Sequence, residues 1–110
     1  MNESIKDNTV FRLKDLVNYE DGQLNKFFVE RNDHVRFALM AYDEGVELSK
    51  HAACGDAIMF ALEGKATISY QGQEYEINEG ENFHFKKGVE HTVKAISKFK
   101  MALVIIVEDE

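Results

Sequence analysis

At 110 residues the chain is long enough for one domain with one real hydrophobic core, hiding on the order of 60–70% of its unfolded surface. Thirteen Lys and Arg against twenty Asp and Glu leave a net charge of −7, which repels phosphate backbones and speaks against nucleic acid as a partner. One cysteine, Cys54, excludes an intramolecular disulfide and fits a reducing interior better than a secreted setting. The opening MNESIKDNTV has neither a basic n-region nor an apolar h-region, so no signal peptide is expected. The longest apolar run, residues 101–107, falls far short of the roughly 20 needed to span a bilayer. A soluble, cytoplasmic protein without a membrane partner is expected.

Residues 1–9 are polar and aperiodic and read as a loose leader. Phe11, Leu13 and Leu16-Val17 allow one short helical turn before Gly22, so residues 1–23 form a leader with a turn of helix. From residue 24 helical patterning disappears. Leu24, Phe27-Phe28 and Val29 suggest a strand, and Arg31-Asn32-Asp33 a polar break. Val35, Phe37, Leu39 and Ala41 then alternate and would share one face. Ile58, Phe60 and Leu62 alternate too, with Ala57, Met59 and Ala61 opposite.

Further on, residues 67–70 and 73–77 flank Gln71-Gly72, a hairpin signal because glycine takes positive φ without steric cost. Turns at 78–80 and 86–88 separate strands over 82–85, 91–95 and 99–107. Proline is absent, so glycine carries most of the turning. Short strands broken by glycine turns at intervals of about eight to twelve residues predict an all-β sandwich or closed barrel over residues 24–107. Glu108-Asp109-Glu110 reads as a solvated acidic tail.

Two histidines sit in matching glycine-rich settings, His51 in GVELSKHAACGDAIMFALEG and His91 in GENFHFKKGVEHTVKA. These stretches resemble the two motifs of the cupin family, small β-barrels of jelly-roll type. The first family motif runs G-x5-H-x-H-x3,4-E-x6-G, and Gly45, His51 and Gly64 match it in place. Ala53 stands at its second histidine and Ala57 at its glutamate. The second motif runs G-x5-P-x-G-x2-H-x3-N; Gly80, Gly88 and His91 match, while Lys86 replaces the proline and Ala95 the asparagine. The resemblance covers roughly residues 24–107 and implies a cupin-type jelly-roll β-barrel.

The same resemblance implies a divalent transition metal held by three histidines and a glutamate inside the barrel, with an open position for substrate or oxygen. Only His51 and His91 of that set remain, so the implied metal site is depleted. Asp56 lies one residue from the lost glutamate and points to the opposite face unless a bulge at Gly55 re-aims it. Cys54 offers a thiolate, although a free cysteine is more often a small buried hydrophobe. His84 alternates away from the pair, and His34 reads as an edge residue.

Replacing a histidine and a glutamate by alanines is expected to widen the cavity and make it more apolar. That suits a small-molecule pocket, with Ala53, Ala57, Met59 and Val93 on its walls and His51 and His91 as polar anchors. Three functions compete on this reading. One is a metal-poor barrel that binds a small organic ligand. Another is a dioxygenase or isomerase using His51 and His91, with a metal or by acid–base chemistry alone. The last is a structural or regulatory partner, and a homodimer is expected through the outward apolar positions Ile58, Phe60 and Leu62.

Overall fold

The computed structural model describes residues 1–107. One 3-10 turn, Leu13–Leu16, precedes nine strands. These are β1 (Leu24–Arg31), β2 (Val35–Tyr42), β3 (Glu47–His51), β4 (Ala57–Glu63), β5 (Lys65–Tyr70), β6 (Gln73–Asn78), β7 (Asn82–Phe85), β8 (His91–Ala95) and β9 (Phe99–Ile106). They make two antiparallel sheets, ordered β1-β2-β9-β4-β7 and β3-β8-β5-β6. From β2 onward the chain passes repeatedly from one sheet to the other, which is the double Greek key of a jelly roll. Strand β1 is an addition outside β2, and nothing in the smaller sheet pairs with it. The all-β expectation and the short helical turn both hold, while the acidic tail lies outside the described residues. No helix among the described residues is long and apolar enough to cross a membrane.

The core between the sheets follows from period 2. In β4, Ala57, Met59 and Ala61 are buried, while Ile58 and Phe60 face outward. Their partners across the sandwich include Ile68 and Val93, with Phe85 beside them on β7 of the same sheet. Each fully buried Met, Ile or Phe contributes about 1.5–3 kcal/mol relative to leaving it exposed.

A second, smaller core lies on the other face of the larger sheet. Leu39 and Ala41 of β2, Val29 of β1 and Ala102 of β9 pack there against Val17, Ile5, Leu13 and Leu16. The face predicted for Val35, Phe37, Leu39 and Ala41 is therefore the outer one, and Ala38, Met40 and Tyr42 fill the interior. This corrects the expectation of a loose leader. Its backbone is tied down where Asn2 N donates to Val29 O at 2.8 Å, and Lys100 Nζ donates to Lys14 O at 2.7 Å. Leu62, expected in a dimer face, is packed under this segment instead.

Two turns show why glycine is needed where it stands. Gln71 and Gly72 both have positive φ, 51° and 78°, the type I′ hairpin geometry that matches strand twist. At Gly55 a Cβ would overlap the carbonyl oxygen of Ile106, so the chain crosses the end of β9 only because no side chain intervenes.

Candidate functional site

His51 ends β3 and His91 begins β8, and the two are direct partners across the ladder. Leu48 pairs with Val93, yet His51 pairs with His91, so β3 carries one extra residue between them. Lys50 absorbs that residue with φ at 50°, in the left-handed region. An unbroken ladder would have set Lys50 opposite His91. The bulge puts the imidazole there instead, and the rings meet edge to face with centroids 5.6 Å apart.

The two rings nonetheless have different surroundings. His91 is buried, with Phe85 stacked on it at 3.9 Å and an interplanar angle of 20°. Its Nδ1 lies 3.2 Å from Val89 O; a carbonyl only accepts, so this contact places the proton on Nδ1 and leaves Nε2 as the acceptor. Burial holds the His91 pKa below the usual histidine value, opposed by the bond to Val89 and aided by the nearby His51. His91 is thus a neutral ring in the barrel wall. His51 is half-buried and faces a cavity.

That cavity, of about 300 Å³, lies on the inner face of β1, β2 and β9, beneath the segment Ala52-Ala53-Cys54. Its apolar wall is Ala38 and Met40 of β2 with Leu103 and Ile105 of β9. Phe28, Lys26 and Arg31 of β1 and Arg36 of β2 complete it toward solvent. Of the residues expected to line a pocket, His51 and Ala53 line this cavity. Ala57, Met59 and Val93 do not; they are 0–2% exposed within the core, and His91 lies behind His51. The physical reason is Phe85, the register partner of Ala57, whose ring occupies the room that the alanine leaves.

Reasoning from sequence missed Lys26, Phe28, Arg31 and Arg36. A local concentration of positive charge in an acidic chain was the available signal, but residues 31–33 looked like a plain polar break.

The metal implied by the family motifs can be tested against these donors. Among the described residues no group of three His, Cys, Asp or Glu side chains comes together to hold an ion. Asp56 is exposed, its Oδ1 accepting from Lys87 N at 2.8 Å. Cys54 is exposed on the cavity wall beside His51. Two imidazoles, one already bonded through Nδ1, lack the third ligand and the anion that a resident divalent ion needs. The residues present do not fit that group. His84 faces outward opposite Ile58, and His34 sits in the turn before β2 with its carbonyl accepting from Val107 N.

Comparison with known proteins agrees with this architecture. The cupin domain family matches residues 37–107, which begins inside β2 and omits the added strand. A conserved protein of unknown function from Streptococcus pyogenes is similar in structure, with a TM-score of 0.90 and 25% identity over 96% of this chain and 93% of that one. A cupin superfamily protein from Desulfitobacterium hafniense gives a TM-score of 0.90 at 18% identity, over 94% of this chain and 95% of that one. A cupin 2 conserved barrel domain protein from Leptotrichia buccalis gives 0.84 at 25% identity, over 87% of this chain and 47% of that one. No curated protein matches the chain in sequence. With the matched span covering both glycine–histidine motifs and all eight jelly-roll strands represented, the chain belongs to the cupin superfamily.

Proposed function

We propose that this cupin binds a small organic molecule in the cavity beneath residues 52–54. The observation that carries this reading is the cavity itself: about 300 Å³ of space with an apolar wall on one side and convergent polar side chains on the other, a make-up suited to a ligand pocket. His51 supplies a hydrogen-bonding nitrogen at the wall. The alternative of a metal-dependent dioxygenase or isomerase using His51 and His91 has less support, because the donor set is short and His91 is stacked under Phe85.

A fragment screen followed by amide chemical shifts tests the proposal. Binders are expected to move the signals of Ala52, Ala53 and Cys54. The variants His51→Ala and Ala53→Leu should weaken them by removing the polar contact and by filling the wall. If the hits perturb other parts of the protein, or bind both variants as before, the reading is wrong.

We propose further that a second copy of the chain covers the outer face around β4. Ile58, Phe60 and Ile106 are 46%, 39% and 56% exposed there and, with Val104 and His84, form a shallow apolar groove. Sedimentation velocity at micromolar concentration should show a dimer that Ile58→Asp converts to monomer. A monomeric parent protein would refute it.

A further inference from the structure

The pairing of β1 with β2 is irregular at one point, and the irregularity decides the charge of the cavity. Lys26 pairs with Met40 and Phe28 with Ala38, and after a register shift Glu30 pairs with Phe37 and Arg31 with Arg36. A regular ladder would have set Glu30 opposite Arg36, a favourable pair of opposite charges. The extra residue is Val29, buried in the outer core at 3% exposure. Glu30 is displaced with it and pairs with the amino group of Met1. Arg31 takes the place opposite Arg36, a like-charge pair that is unfavourable by itself.

No carboxylate among the described residues offsets this arrangement. Neither arginine makes an ion pair with a described carboxylate, and Arg36 Nε is buried without a hydrogen-bond partner. An unsatisfied buried donor is destabilising, and more so when it carries charge. Lys26 lies on the same wall, and no Asp or Glu among the described residues does, in a chain whose net charge is −7. Arg31 is braced against the Phe28 ring at 5.0 Å. Immediately inward of these cations the wall turns apolar at Ala38, Met40, Leu103 and Ile105.

We infer that the cavity takes a small carboxylate with an apolar body, its head held by Arg36 and Arg31 with Lys26 nearby and its body on the β2–β9 wall. A carboxylate accepts two parallel N–H bonds from a guanidinium, and no described carboxylate takes that place on either arginine. A fully hydrated phosphate or sulfate has no part that matches the apolar wall. The inference rests on the cavity being a ligand site, and it adds the chemical class of the ligand.

Benzoate, benzamide and inorganic phosphate serve as probes on the isotopically labelled full chain. Benzoate should shift the Arg31 and Arg36 Nε–H signals together with the Ala38 and Ala53 amides. Benzamide, of the same shape without the charge, should bind at least about tenfold more weakly. Arg36→Gln should erase that difference, with Arg31→Gln as a second variant should the first fold poorly. Benzamide binding as tightly as benzoate would overturn the carboxylate inference and leave the ligand pocket standing. Phosphate displacing benzoate at equal concentration would overturn it in favour of a bare anion site. If neither benzoate nor benzamide moves any cavity signal, the inference and the pocket reading fall together. Binding that emerges only after residues 108–110 are removed would assign the arginines to the chain's own acidic end and also overturn it.

Discussion

Replacing Phe85 by leucine tests the account of the histidine pair at its most sensitive point. The Phe85 ring is 1% exposed and touches three others, with centroids 3.9 Å from His91, 4.9 Å from Phe83 and 5.9 Å from Tyr70. Each such pair is worth about 0.5–1.5 kcal/mol beyond simple burial, and leucine restores most of the buried area, so a loss of about 2–3 kcal/mol is expected. For a domain of this size that lowers Tm by roughly 8–15 °C.

The same change admits water to His91, and its pKa should rise toward the ordinary 6.5 as the burial that lowers it is relieved. The sign of the linked stability effect follows. In the parent protein the folded pKa of His91 lies below 6.5, so between those two values the unfolded chain binds the extra proton. Stability therefore rises with pH across that window, is flat above 6.5, and is lost as pH falls through the folded value. The variant should show a shallower slope there, besides being less stable everywhere. Histidine ring titration by NMR, with chemical denaturation at several pH values, measures both quantities. A His91 pKa that stays put or falls in Phe85→Leu would refute the claim that the phenylalanine desolvates the ring.

Gly55→Ala should destabilise severely, by about 3 kcal/mol or more, because the new Cβ meets backbone rather than a movable side chain; a melting curve within a degree of the parent's would contradict this. Lys100→Met removes the bond to Lys14 O and the cation over the Tyr19 ring at 4.9 Å, and hydrogen exchange should quicken at residues 13–17 while β4 to β8 stay protected. Uniform protection would mean that the leader is held by its apolar contacts alone. Dialysis against a strong chelator should leave Tm unchanged, since the described donors fall short of a metal site; a drop of several degrees would show that an ion was being held.

The strand rhythm was legible in the sequence because its signals are local. Alternation over residues 57–62 separates the buried Ala57, Met59 and Ala61 from the outward Ile58 and Phe60, and Gln71-Gly72 specifies its own turn. The glycine spacing around His51 and His91 likewise places both at one end of one sheet. What the chain could not announce is which residue each ladder skips. At Lys50 and at Val29 one inserted residue turns the following side chains to the other face, and the choice is made by the partner strand far along the chain. Through those two shifts tertiary pairing set His51 beside His91 and exchanged Glu30 for Arg31 on the cavity wall. Long-range packing also decided the rest: Phe85 took up the space beside Ala57, and residues 5–17 covered a face that alternation alone left open. Local patterning determines where strands run and which of their faces are apolar, whereas the contents of a cavity depend on pairings between segments that no local signal records.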